Sequence, residues 1–141
     1  MWGMMIALIS GALMSLQGIF NTEVTKHSSI WAAAGWVQAT AFVTCVILYF
    51  ASGRGEIAGM FGIDRKYMLL GGVMGAFITW TVVKSMEGLG PAKATLLVVV
   101  TQILVSYFVE MFGIFGVEKV GFEWKKLWGA LISIVGILIF S

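Results

Sequence analysis

The groups able to do chemistry in this chain are few, and most of them are neutral. Thr95, Gln102, Ser106 and Glu110 recur at spacings of seven, four and four residues, which sets them along one face of a helix. Ser10, Gln17 and Asn21 form a similar stripe nearer the N-terminus. Amides and hydroxyls of this kind hydrogen-bond a small molecule or a neighbouring helix. Three carboxylates, Glu23, Glu87 and Glu110, close apolar runs, and Lys84 stands three residues before Glu87, within reach of a local ion pair. Trp80 sits in the middle of an apolar run, where an indole ring can wall a cavity and attract a cation through its face.

The same inventory excludes several chemistries. His27 is the only histidine, and no cysteine or acidic cluster accompanies it at metal-ligand spacing, so no metal site is expected. No nucleophile, base and orienting group can be assembled, and no phosphate-cradling glycine loop is present, so neither an enzyme nor an ATP-driven pump is expected, and no cofactor. A net charge of +2 is too small to suggest nucleic-acid binding. The single Cys45 permits no internal disulfide.

The elements that must position these groups follow from composition. Of 141 residues, 60% are hydrophobic and 11% charged, and the mean hydropathy is +0.98. A soluble domain carries roughly 25% charge, so this chain cannot build a water-facing surface. Five apolar segments stand out: about Met4 to Asn21, Ser29 to Ala51, Tyr67 to Met86, Pro91 to Met111, and Leu127 to Phe140 with a possible start near Trp124. The first four are near the roughly 20 residues that cross a bilayer and the last is shorter, and hydrocarbon leaves only the helix to satisfy an isolated segment's backbone. The expectation is an all-α membrane protein with five transmembrane helices, residues 1–141 forming one domain. Met-Trp-Gly-Met-Met carries no early Lys or Arg, so the first segment reads as a retained helix rather than a cleaved signal.

The connections set orientation and depth. Gly88-Leu89-Gly90-Pro91 makes a tight turn, with proline suited to a first helical position. The longest connection, Ser52 to Lys66, mixes glycines with Arg54, Glu56, Met60 and Phe61 and reads as lying at the headgroups. Arg54, Arg65, Lys66, Lys119, Lys125 and Lys126 fall on the side of the N-terminus, against Lys26, Lys84 and Lys93 opposite, which favours a cytoplasmic N-terminus. At about 1.5 Å per residue, Glu23, Glu87 and Glu110 each lie roughly 28–30 Å from their segment starts, near an interface, whereas Gln102 lies about 16 Å deep.

Two readings stand for the deep polar groups. Gln17 and Gln102 either face a cavity or tie helices together by hydrogen bonds. Gly71 and Gly75 form a GxxxG step, and Gly129, Ser133 and Gly136 share one face of the last segment, where small residues let backbones approach within a protomer or between two.

Three stretches, read in order, carry a resemblance. They are Leu16-Gln17-Gly18-Ile19-Phe20-Asn21, Leu70-Gly71-Gly72-Val73-Met74-Gly75-Ala76, and Gly88-Leu89-Gly90-Pro91-Ala92 followed by Gln102 and Glu110-Met111-Phe112-Gly113-Ile114-Phe115-Gly116. With Trp128-Gly129 and Gly136, the chain resembles the YdcZ family of the drug/metabolite transporter (DMT) superfamily over nearly its whole length. Glu110, where aspartate is more usual, and Lys84 depart from the pattern. The resemblance implies a five-helix half-transporter completed by an antiparallel partner, either a second copy or a paired inverted homologue. It is consistent with sites placed between inverted repeats at the midplane. The expectation is therefore a secondary transporter of small organic metabolites or organic cations in a bacterial inner membrane, working by alternating access. Gln17, Asn21, Trp80 and Gln102 would line the cavity, Glu110 would gate it or couple protons, and Gly129, Ser133 and Gly136 would contact the partner. The alternatives are a dual-topology channel and an accessory membrane subunit.

Overall fold

The computed structural model describes residues 2–53 and 55–140. Arg54, one of the orienting charges, lies outside them. Among the described residues there are helices and no strands: α1 (Trp2–His27), α2 (Ile30–Ala51), the short α3 (Ala58–Phe61), a 3-10 turn (Lys66–Leu70), α4 (Gly71–Leu89), α5 (Pro91–Phe112), a second 3-10 turn (Ile114–Gly116) and α6 (Trp124–Phe140). Four stretches are long and apolar enough to cross a membrane: α1, α2, Lys66–Leu89 and α5. The fifth expected segment is present as α6, but at 17 residues it covers only about 25 Å. That places it at the lower limit for a crossing helix. The first helix is longer than its apolar run, because Thr22 to His27 continue it through polar residues.

Local chemistry explains where the helices begin and end. Ser29 caps α2 in extended conformation, and its hydroxyl accepts the Ala32 N–H at 3.2 Å. Gly90 precedes α5 at a φ of 80°, which L side chains rarely adopt, and Pro91 takes the first position, where no N–H is needed. Gly113 ends α5 in the left-handed conformation, its N–H donating to the Val109 carbonyl.

Residue contacts divide the chain into two compact units, Met1–Lys84 and Ser85–Ser141. In the first, α1 packs on α2. The covered positions are small, Gly18 and Asn21 on α1 and Ala33 and Ala34 on α2. Between α2 and α4, Trp31 lies nearly parallel to Trp80 (centroids 6.3 Å, 12° between planes) and edge-on to Phe77. The Gln38 amide seats against Gly75, so close that a Cβ there would stand 2.7 Å from Nε2. Gly75 thus serves packing inside this unit, while Gly71, the other half of the GxxxG step, has open space around it.

In the second unit α5 packs on α6, with Ala94 and Val100 covered on one helix and Ala130 and Ile137 on the other. Val83 and Met86 on α4 are also buried, whereas most other large apolar side chains point outward; Leu8, Phe42 and Ile132 are 71%, 70% and 69% exposed. A surface of this kind belongs against lipid.

The two glycines of the GxxxG step should therefore respond differently to bulk. Gly75→Leu should destabilise the detergent-solubilised protein by about 1–3 kcal/mol through overpacking against Gln38, seen as a lowered melting temperature. Gly71→Leu should leave it nearly unchanged, and equal effects would contradict this packing.

Candidate functional site

A groove of about 550 Å³ runs between α5 and α6. Its α5 wall carries Gln102, Ser106 and Glu110, and its α6 wall Lys126, Gly129 and Ser133, with apolar surface from Val99, Ile103 and Ala130. The groove exists because α6 presents small residues where α5 presents longer polar ones. Gly129 has no neighbour near its absent Cβ. The Ser133 hydroxyl turns back to the Gly129 carbonyl at 2.9 Å, leaving that wall shallow.

One end of the groove holds its charges. Lys126 Nζ lies 2.9 Å from Glu110 Oε2 and 3.5 Å from Glu123 Oε1. It also stands 5.8 Å from the centroid of the Tyr107 ring, at cation–π range. Tyr107 fixes the start of α6: its hydroxyl accepts the Glu123 N–H at 2.9 Å and donates to the Glu123 carbonyl at 3.3 Å. The loop between the helices folds onto the same end, with the Val120 N–H donating to the Glu110 carbonyl at 3.2 Å. It can close this tightly because a Cβ on Gly113 would stand 3.1 Å from Lys119 Cβ. Glu110 and Lys126 thus face each other across a rigid corner, with side chains 40% and 36% exposed.

The residues singled out in the sequence fall into two sets. Gln102 and Glu110 share the groove with Gly129 and Ser133, so positions expected to bind cargo and positions expected to touch a partner occupy one surface. Gly136 is exposed and does not line it. Thr95, on the same helical stripe by spacing, keeps a buried hydroxyl without a hydrogen-bond partner. Gln17, Asn21 and Trp80 belong to the first unit: Gln17 is exposed, Asn21 buried, and Trp80 half-buried against Trp31. Glu23, at the end of α1, is paired with Lys26 at 2.6 Å.

Three functional side chains escaped the sequence reading. Tyr107 and Lys126 each stand three residues from an acid, Glu110 and Glu123, and those two i, i+3 pairs meet only when the α5–α6 hairpin forms. Gln38 was visible as a lone amide inside an apolar run. Chemically the groove offers hydrogen bonds, one ion pair and apolar walls, a set suited to holding a small molecule. Among the described residues no group of His, Cys, Asp or Glu is arranged to hold a metal ion.

Residues 2–139 match a family model described as "Putative inner membrane exporter, YdcZ". No curated protein and no solved structure matches the chain.

The Tyr107 contacts generate a direct test. Tyr107→Phe should accelerate hydrogen exchange of the Glu123 amide by about fivefold, the effect of losing a hydrogen bond of roughly 1 kcal/mol. Exchange at Gly113, whose partner is the Val109 carbonyl, should be unaffected.

Proposed function

The chain belongs to the YdcZ family, an exporter family of integral inner-membrane proteins rather than an enzyme family, and on that premise we propose that it works as an antiparallel dimer exporting small organic metabolites or organic cations by alternating access. The observation that carries this reading is the polar strip Gln102–Ser106–Glu110, left open beside Gly129 and Ser133. Polar groups on a membrane-crossing helix face protein or a water-filled cavity, since exposure to hydrocarbon is costly. A second copy in inverted orientation supplies that cover. It also gives a five-helix unit the two-fold symmetry on which many transporters build their sites.

In this reading α6 is the fifth span, and Gly129, Ser133 and Gly136 are where the partner backbone comes close. Gln17, Asn21, Trp80 and Gln102 line the completed cavity, and Glu110 stands at its mouth as the gating or proton-coupling acid. The excess of Lys and Arg on the side of the N-terminus, six against three, supports a cytoplasmic N-terminus.

Single cysteines at position 133 and in opposite loops, in a Cys45→Ser background, test the assembly in native membranes. Crosslinks joining the N-terminal side of one copy to the C-terminal side of another are the expected result. Only parallel crosslinks, or none, would refute the dimer. In proteoliposomes Gln102→Leu should reduce saturable counterflow by about tenfold or more, the effect of one lost polar contact to cargo. Passive, non-saturating flux would instead indicate a channel. An inactive purified chain restored by a second protein would indicate an accessory subunit.

A further inference from the structure

We infer that Lys126 is a tethered counter-ion, occupying the Glu110 carboxylate until a ligand's protonated amine replaces it. The groove between α5 and α6 is therefore a site for organic ammonium ions, and this rests on the export reading for what the groove is used for.

Lys126 is not committed to one acid. Its ammonium touches Glu110 Oε2 at 2.9 Å and already lies 3.5 Å from Glu123 Oε1, three residues back and just ahead of α6. The Tyr107 ring, 5.8 Å away, offers a further favourable surface to the same cation. A small side-chain movement therefore takes Lys126 off Glu110 without leaving its charge unpaired. The displaced lysine keeps Glu123, so releasing Glu110 avoids the cost of an isolated charge. Half-exposed ion pairs are weakly held, which makes such an exchange accessible.

What Glu110 gains is a ligand group delivered along the groove. Glu110, Ser106 and Gln102 follow one another at four-residue steps on the same wall. A bound ammonium can donate to the carboxylate and to the serine hydroxyl one turn away, while Gln102, two turns and about 12 Å along the helix, is left for a second polar group on a longer ligand. Val99, Ile103 and Ala130 cover its carbon skeleton. Charge decides the sign of the ligand. Among the groups in direct ion-pair contact, two carboxylates, Glu110 and Glu123, and one ammonium, Lys126, sum to one net negative charge. An ammonium ligand neutralises it, whereas a carboxylate ligand would add to it.

The test is calorimetric titration of the purified full chain and its variants with 2-phenylethylammonium, and with 3-phenylpropionate as the matched anion. The amine should bind and the anion should not. Lys126→Gln, which removes the internal competitor, should tighten amine binding about tenfold. Lys126→Arg, a stronger partner for a carboxylate, should weaken it. Glu123→Gln, which removes the alternative resting place, should weaken it about tenfold, and Glu110→Gln should abolish it.

Amine binding by Lys126→Gln that is unchanged or weaker overturns the inference, as does binding of 3-phenylpropionate as tight as that of the amine. Should Lys126→Gln not fold, Glu123→Gln decides alone, since it leaves the Glu110–Lys126 contact in place; unchanged or tighter binding then overturns the inference. The readout needs neither vesicles nor dimer orientation. Antiparallel crosslinks without the Lys126 effect would sink only this inference. The Lys126 effect without antiparallel crosslinks would sink only the dimeric transport reading.

Discussion

Helices in hydrocarbon gain no hydrophobic free energy by touching one another, because lipid tails are as apolar as leucine. What holds them is close backbone approach and a small number of polar ties. The covered positions of this protein obey that constraint. Gly18, Ala33, Ala34, Ala94 and Ala130 are among the covered residues, joined by only a few larger ones such as Val83, Val100 and Ile137, while most large side chains point outward. The polar ties stand where approach is closest, with the Gln38 amide pressed on Gly75 and the Tyr107 hydroxyl clasping the backbone of Glu123.

The groove is a by-product of the same economy of side chains. α6 stays small at Gly129 and Ser133, and α5 places amide, hydroxyl and carboxylate opposite at successive turns. The loop after α5, with positive φ at Gly113, Phe115, Gly116 and Gly121, then brings the start of α6 back to the end of α5 and lets residues sixteen apart, Glu110 and Lys126, form an ion pair. Backbone conformation in this loop thereby sets the electrostatics at the end of the groove.

Much of this was legible in the sequence. The all-helical membrane class followed from composition, and the end of α4 and the start of α5 followed from Gly90 and Pro91 within a few residues. The stripe of Gln102, Ser106 and Glu110 followed from helical periodicity, and the family resemblance from ordered motifs that the family match bears out. What was not legible depended on hairpin geometry. Lys126 reads as an orienting surface charge until the loop returns it to Glu110. Trp31 reads as an interfacial ring until α2 and α4 stack it on Trp80. Periodicity places residues on a face, but it carries no information about which face they meet.

The brevity of α6 has a consequence for the surrounding bilayer. Its 17 residues reach about 25 Å, whereas α1 with 26 and α2 with 22 reach roughly 39 and 33 Å. Longer helices relieve such a mismatch by tilting, but a short one crossing the membrane can only pinch the lipid around it or hide from it. A single copy with α6 facing lipid would carry a ring of thinned bilayer along that edge. Burial of the edge against another protein surface releases the deformed lipid. With α6 as a span, the membrane's own elasticity adds a sideways attraction toward it, one that strengthens in thicker bilayers and requires no further contact between side chains.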